Sequence, residues 1–114
     1  MQSVDPNLDA LLRMAIERRQ LIRLIYHGRE RTVEPHDYGI LNGSVMLLAY
    51  QIAGSSSRPL PNWILMKVAE VDGIERLNRN FPGGRPTPTG KHHKWEKLFI
   101  RVKLADEEAT AAKS

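Results

Sequence analysis

Two nearly unbroken apolar runs occupy the middle of the chain, and both predict β-strands. Residues 45–52 read VMLLAYQI, with almost no polar side chain in eight positions. A strand with one face in water would alternate, so this run predicts a central strand buried on both faces. A Gly/Ser/Pro loop at residues 54–59 separates it from a second strand-like run at residues 63–68. Asn42-Gly43 precedes the first run and predicts a type I′ hairpin turn, which needs positive φ at both positions.

Helical spacing is clear near the N-terminus. Asp5-Pro6 predicts a helix start, since aspartate caps free backbone amides and proline is tolerated in the first turn. Apolar residues then recur on one helical face: Leu8, Leu11, Leu12, Ala15 and Ile16. The pattern predicts one amphipathic helix at about residues 7–19, packed on the sheet.

The next part of the chain changes to the period of two that is typical of strands. Residues 21–27 alternate and predict a strand, and a turn leads to a shorter strand at residues 31–34. Pro35 is expected to end that strand, because proline offers no N–H to a ladder. Residues 36–41 are expected to continue as an extended, bent segment.

The C-terminal part of the chain contains one more clear strand pattern. Residues 71–74 predict a turn, residues 75–80 are too short to assign, and the Gly/Pro-rich residues 81–90 predict an exposed loop. An alternating strand ends near residue 104, and the residues expected on its outer face are Lys97, Phe99, Arg101 and Lys103. The small, polar residues 105–114 predict a frayed tail.

These elements predict a mainly β fold with one N-terminal helix. One helix and about five short strands fit a small, strongly bent antiparallel sheet or a partly open barrel, with the helix across one opening. At 114 residues the chain is expected to form one domain over residues 1–104, with strands at about residues 21–77 and 95–104.

Composition narrows the classes of function. The absence of cysteine excludes disulfides, thiolate catalysis and cysteine-based zinc sites. No apolar stretch approaches the ~20 residues of a membrane helix, and the first residues do not resemble a signal peptide. We therefore expect a cytoplasmic protein with no membrane partner.

Positive charge is concentrated near the C-terminus. Residues 85–103 hold six basic residues and one acidic residue, a net +5, while the whole chain carries +4. Such a segment is the electrostatic footprint of an anionic partner. The alternative is that these charges serve only solubility.

No pattern in the sequence predicts catalysis, a cofactor or a metal site. Residues 84–91 superficially suggest a phosphate-binding loop, but the glycine spacing is wrong, and His92 stands where a magnesium-binding Ser or Thr is required. His92-His93 are adjacent and lack convergent ligands. His27 and His36 are isolated, and each could line a pocket or be purely structural.

The order of motifs resembles the WYL domain, an effector-sensing module of many bacterial transcription regulators. The resemblance covers about residues 10–77. It rests on the helix end AIERR, then IxLxY, RTVEP, a Tyr-Gly pair, NGS, VMLxAY and WxLxKVxxV, in that order and spacing. We expect a divergent, stand-alone form without the helix-turn-helix.

Several positions depart from the family pattern. The Trp-Tyr-Leu triad that names the family falls on Val45, Met46 and Leu47. At ligand-contact positions, one family arginine becomes Ile64, an aspartate becomes Met66 and a second arginine becomes Lys67. Lysine offers a point charge in place of the bidentate arginine fork.

The resemblance implies an Sm- or SH3-like barrel of five bent strands that binds an anionic ligand, often a nucleotide or single-stranded nucleic acid. Carried over by position, the candidate binding residues are Tyr26, Arg31, Tyr50 and Lys67. His36 is added as a wall residue. The outer face of the last strand, Lys97, Phe99, Arg101 and Lys103, combines phosphate neutralisation with an aromatic for base stacking.

Simpler interpretations of three carried-over residues stay open. Tyr26 and Tyr50 could be core aromatics with a solvated hydroxyl. Arg31 could be a solvated hairpin residue.

The leading hypothesis is a non-enzymatic, ligand-sensing module for a nucleotide-like or single-stranded nucleic-acid ligand, with a role in transcription regulation. The alternative is an interaction or assembly module, a homo-oligomer that associates through apolar strands and their edges. Apolar residues at positions 45, 46, 64 and 66 favour that alternative.

Overall fold

The structure, a computed structural model, describes residues 4–85 and 94–104. It is mainly β, with one helix and an open, six-stranded antiparallel sheet. The elements are α1 (Pro6–Arg18), β1 (Gln20–Tyr26), β2 (Arg29–Leu41), β3 (Ser44–Gly54), β4 (Asn62–Lys67), a 3₁₀ turn (Val68–Glu70), β5 (Val71–Asn80) and β6 (Lys97–Arg101). The strand order is β4-β3-β2-β1-β5, and β6 pairs separately with β2. Predictions about residues 86–93 and 105–114, including His92-His93, fall outside the described residues.

Helix α1 confirms the predicted N-terminal helix. The Asp5 carboxylate accepts a hydrogen bond from the Leu8 N–H at 3.1 Å, and Pro6 occupies the first turn. The helix ends where Arg19 adopts a left-handed conformation, with φ of 54°. The apolar face is buried through Leu12, Ala15 and Ile16. Among the described residues, no helix is long and apolar enough to cross a membrane.

The central hairpin forms as predicted. Asn42 and Gly43 have φ of 52° and 77°, the paired positive angles of a type I′ turn. Strand β3 then lies between β2 and β4, and the face that carries Val45, Leu47, Ala49 and Gln51 is buried. The opposite face is half-buried except at Leu48, so the predicted burial on both faces is complete on one face only. The near absence of polar residues in β3 thus reflects its central place in the sheet.

The prediction that Pro35 ends a strand is wrong. Strand β2 runs through Pro35 for 13 residues, and it changes its neighbour there. Before Pro35, β2 pairs with β1 as far as Val33; beyond it, β2 pairs with β6 from Asp37 onward. A register shift against β3 leaves His36 as an additional residue. The missing N–H of proline therefore falls between two ladders, where it costs little.

The turn predicted at residues 71–74 is also wrong, because these residues begin strand β5. This strand pairs with β1 from Val71 to Asn80, so it includes the unassigned residues 75–80. Two register shifts interrupt the ladder, and Gly73 takes a positive φ of 53°. These irregularities explain why β5 does not show a period of two in the sequence.

The last strand forms, but its predicted outer face is only partly correct. Gly39 pairs with Leu98 and Tyr38 pairs with Ile100, so Phe99 is an additional residue at a bulge. Phe99 is half-buried, with its ring centroid 5.0 Å from that of Tyr38, while Leu98 is 37% exposed. A bulge changes the alternation of side chains, which is why the aromatic turns inward.

A polar contact fastens α1 to the sheet. The hydroxyl of the buried Tyr38 donates to the Asp9 carboxylate at 2.6 Å, and Arg13 donates to the other oxygen of Asp9 at 3.0 Å. Burial works to raise the pKa of Asp9, but the hydrogen bonds from Tyr38 and Arg13 together hold it below its usual value. Burial and the Asp9 charge raise the pKa of Tyr38.

We expect Tyr38→Phe to lower the free energy of unfolding by about 1.5–3 kcal/mol at neutral pH, the typical worth of a hydrogen bond to a charged group. Because the pKa of Asp9 is depressed in the folded state, this stability is present above the unfolded pKa and is lost as the pH falls. Urea denaturation should show that the difference in unfolding free energy between Tyr38→Phe and the unsubstituted protein is smaller at acidic pH than at neutral pH. Tyr50→Phe is the control, and an equal loss in that variant would contradict the role of the Asp9 contact.

Candidate functional site

The structure divides the predicted binding residues among separate places on the sheet. The first place holds Tyr26, Arg31 and Lys67, which we call the Arg31 site. The second place holds His36 and Tyr50. Lys97 and Phe99 lie together on β6, Arg101 pairs with Asp37, and Lys103 is exposed beyond the end of β6. The nine predicted residues therefore do not form one continuous pocket.

Arg31 is a buried cation held by uncharged oxygens. It is only 8% exposed. Its Nη1 donates to Gln51 Oε1 at 3.0 Å, and its Nε lies 3.4 Å from the Tyr26 carbonyl oxygen. The amide nitrogen of Gln51 donates to the carbonyls of Ala53 and Ser55, which fixes its oxygen toward Arg31. The expectation of a solvated hairpin residue does not match this burial.

The charge of Arg31 has no acidic partner in the described part of the chain. Both of its hydrogen bonds go to neutral acceptors, and no carboxylate forms an ion pair with it. Burial and the neighbouring Arg29 charge lower the pKa of Arg31. Since a buried charge normally needs a counter-charge, the Arg31 site has an electrostatic deficit that an anion would satisfy.

Tyr26 links the other members of the Arg31 site. Its hydroxyl accepts a hydrogen bond from the backbone N–H of Lys67 at 3.2 Å, and the Cζ of Arg31 lies 5.8 Å from its ring centroid. The ring of His27 stacks on the Tyr26 ring at 3.9 Å, and its Nε2 lies 2.6 Å from a Glu70 carboxylate oxygen. Tyr26 is therefore both a core aromatic and the contact between Arg31 and Lys67.

The second place is a cluster around a buried carboxylate, which we call the Glu34 cluster: Glu34, His36, Tyr50, Trp63 and Arg85. Glu34, Tyr50 and Trp63 are direct cross-strand partners on β2, β3 and β4, so their side chains line one face of the sheet. Ring contacts join the group, with Tyr50–Trp63 centroids 5.1 Å apart and His36–Trp63 centroids 4.8 Å apart.

Arg85 supplies the positive charge of the Glu34 cluster. Its Nε and Nη2 donate to the two Glu34 oxygens at 2.6 and 3.0 Å, a bidentate pair. The Cζ of Arg85 stands 4.5 Å from the Tyr50 ring centroid. The hydrogen bond to Glu34 outweighs burial and raises the pKa of Arg85. Tyr50 therefore has a guanidinium on its face where the family resemblance predicts a ligand.

The His36 ring is held in one tautomer. Its Nε2 accepts the backbone N–H of Arg85 at 3.0 Å, so the proton sits on Nδ1, which donates to the Glu34 carbonyl at 2.8 Å. Burial lowers the pKa of His36, opposed by the Glu34 hydrogen bond and the Glu34 and Asp37 charges, and assisted by the Arg85 charge. A neutral His36 is thus required for the contact with Arg85.

The predicted basic strand is less cationic than its sequence suggests. Arg101 donates both Nε and Nη2 to the buried Asp37, at 3.0 and 3.2 Å, so its charge is neutralised. Lys97 and Lys103 are exposed, and the Nζ of Lys97 lies 5.9 Å from the Phe99 ring centroid. Phe99 itself is covered on one side by the Arg13 guanidinium at 5.1 Å.

Sequence reasoning missed the importance of Glu34, Trp63 and Arg85. Glu34 and Arg85 are 51 positions apart, and nothing local in the sequence pairs them. The sequence offered a weaker signal: Glu34 follows Val33 at the end of a predicted strand, and Trp63 opens the second apolar run. A carboxylate in such a strand needs a cation from elsewhere in the chain.

Comparisons of this chain with protein-family models, with curated proteins and with solved structures find no match. Across residues 4–85 and 94–104, no group of three or more His, Asp or Glu side chains converges in a way that could hold a metal ion. The site geometry therefore carries the functional interpretation.

We expect His36 to make stability depend on pH. Because its pKa is lowered on folding, the unfolded chain takes up protons first as the pH falls below about 6.5, and stability decreases in that range. Urea denaturation between pH 7.5 and 5 should show a shallower pH slope for His36→Gln than for the unsubstituted protein. The exposed His27→Gln is the control, and an unchanged slope in His36→Gln would contradict the buried neutral tautomer.

Proposed function

We propose that this protein is a non-enzymatic binding module for a phosphate-bearing ligand, a nucleotide or single-stranded nucleic acid, with a regulatory role in the cytoplasm. The observation that carries the proposal is the buried Arg31 guanidinium, which hydrogen-bonds to neutral acceptors and pairs with no carboxylate among residues 4–85 and 94–104. The resemblance to the WYL domain, which independently points to Arg31, Tyr26 and Lys67, supports the same site.

A phosphate group suits the Arg31 site for physical reasons. Its oxygens can take charge-assisted hydrogen bonds from a guanidinium, and its negative charge compensates a cation that folding has removed from water. Lys67 is exposed at the end of β4 and is tied by its backbone to Tyr26. It could add a second positive charge without the geometric demands of an arginine fork.

The curvature of the sheet supports the proposed likeness to an Sm- or SH3-like barrel. Strand β4 is at one end of the strand order and β1 is near the other, yet the Tyr26–Lys67 hydrogen bond joins them. The 3₁₀ turn Val68–Glu70 then leads directly into β5 beside β1. Bending of this kind brings the backbone of Lys67 to Tyr26, whose ring lies beside Arg31.

The alternative of self-association through apolar strands has less in its favour. Two of the four residues behind it, Val45 and Met66, are buried within the protein's own core. Met46 and Ile64 are half-buried. The apolar residues at these positions therefore serve internal packing, which weakens the argument for an assembly role.

Arg31→Met should remove phosphate binding with little loss of stability. The change deletes an uncompensated buried charge and leaves Gln51 Oε1 without a donor, so we expect stability within about 1 kcal/mol of the unsubstituted protein. Adenosine monophosphate at ten times its Kd should stabilise the unsubstituted protein by about 1.4 kcal/mol, read as a rise in Tm. Arg31→Met should show no rise.

Arg29→Met is the matched control, because Arg29 is an exposed neighbour and the change in net charge is the same. It should keep the rise in Tm. Adenosine, which lacks the phosphate, should cause none in any variant. An equal response of the Arg29 and Arg31 variants would mean that the effect is general electrostatics, and the Arg31 site would be rejected.

A nucleic-acid ligand should also use the exposed lysines of the C-terminal segment. On β2, Arg31 is six residues from Asp37, the residue that pairs with β6, which is a distance of roughly 20 Å. An oligonucleotide could therefore span Arg31 and the lysines of the β6 segment, whereas a mononucleotide could not. The double variant Lys97→Glu/Lys103→Glu should weaken binding of labelled single-stranded oligonucleotides and flatten its salt dependence, as measured by fluorescence anisotropy. The Tm response to adenosine monophosphate should stay unchanged.

Two results would separate these ligands. Oligonucleotide binding that is lost in the lysine variant indicates single-stranded nucleic acid as the ligand. Oligonucleotide binding that the lysine variant leaves intact, with the same salt slope, limits the proposal to a mononucleotide at Arg31 and removes β6 from the site.

A further inference from the structure

The Glu34 cluster has the composition of a receptor for a guanidinium group. The Glu34 side chain is only 4% exposed, and both of its oxygens accept hydrogen bonds from the fork of Arg85. A buried carboxylate is favourable only when a cation meets it with good geometry. The cluster therefore requires a positively charged group at this position.

The walls of the cluster favour arginine over lysine. The planar guanidinium meets the carboxylate side-on with two donors while its Cζ lies 4.5 Å from the Tyr50 ring centroid. A guanidinium can satisfy a bidentate bond and an aromatic face at once, whereas an ammonium is a single, strongly hydrated point charge. Trp63 supports Tyr50 from the next strand, with its ring at 63° to the Tyr50 ring.

The sheet residues of the Glu34 cluster and its guanidinium come from different parts of the chain. Glu34, Tyr50 and Trp63 stand in register on three adjacent strands of the sheet. Arg85 lies beyond the end of β5, outside those strands, and its side chain is 44% exposed. The carboxylate and the aromatic wall thus belong to the sheet, independently of the segment that carries the guanidinium.

We propose that the Glu34 cluster is a recognition site for the arginine side chain of a partner peptide, and that Arg85 is an intramolecular occupant which such an arginine replaces. Charge complementarity and the planar geometry specify the partner group. Because Arg85 is tethered beside the site, it competes at high effective concentration, so an external arginine binds weakly until Arg85 is displaced. This site is distinct from the phosphate site at Arg31.

Removal of the internal occupant tests the proposal. N-acetyl-arginine methylamide would be titrated into Arg85→Ala and into the unsubstituted protein, with binding followed by NMR at the indole N–H of Trp63. We expect saturable binding that is at least tenfold tighter in Arg85→Ala. N-acetyl-lysine methylamide should bind that variant at least tenfold more weakly than the arginine compound.

Two further variants control the result. Arg85→Ala/Glu34→Gln should lose the binding, while Arg85→Ala/Arg31→Met should keep it, which separates this proposal from the phosphate site. Equal binding of the lysine and arginine compounds, or retention of binding in the Glu34→Gln background, would overturn the proposal. So would the absence of saturable binding in Arg85→Ala.

A second variant covers the case in which Arg85→Ala does not fold. Arg85→Lys keeps a positive charge near Glu34 but cannot form the bidentate bond. The arginine compound should displace that lysine and bind at least several-fold tighter than to the unsubstituted protein. Binding no tighter than to the unsubstituted protein would overturn the proposal.

Discussion

The fold depends on one strand that exchanges one neighbour for another. Strand β2 pairs with β3 along almost its whole length, while its opposite edge pairs first with β1 and then with β6. The exchange occurs at Pro35, the residue that cannot donate to a ladder, and the bulge at His36 accompanies it. Strand β1 begins at Gln20, so the edge of β2 beyond Pro35 is open, and β6 pairs there as the sixth strand of the sheet.

Buried polar side chains are concentrated where β2 changes its pairing partner. Glu34, His36 and Asp37 surround Pro35, and all three are nearly inaccessible to solvent. Each is satisfied by a contact from the C-terminal part of the chain: Glu34 and His36 by Arg85, and Asp37 by Arg101. An irregular point in a sheet can direct neighbouring side chains unusually, so a run of polar residues can be accommodated where a regular central strand would be apolar.

Local features of the sequence were sufficient for part of this structure. The α1 helix and the Asn42-Gly43 turn could be predicted because a few adjacent residues determine them. The long course of β2 and the inward turn of Phe99 could not, because both depend on bulges set by strands distant in sequence. The pattern of polar and apolar residues reports burial, but it does not identify the neighbour that causes it.

The candidate sites also combine features that the sequence predicts with features that depend on residues distant in the chain. Arg31 and Tyr50 could be singled out by resemblance, but whether their charges and rings are free depends on partners elsewhere in the chain. In the part of the chain that the structure describes, Arg31 hydrogen-bonds to neutral oxygens alone, whereas Tyr50 already has Arg85 on its ring. Arg101 is a similar case, since its charge is taken by Asp37.

The position of β6 also bears on the order in which the strands pair during folding. Strands β1 to β4 follow one another as antiparallel neighbours joined by short connections, so their pairing closes small loops. Asp37 and Arg101 are 64 residues apart, and bringing them together costs more loop-closure entropy than closing the short connections of the meander. The four-strand meander is therefore favoured to form before β6 docks, and docking of β6 then removes the Asp37 carboxylate from water.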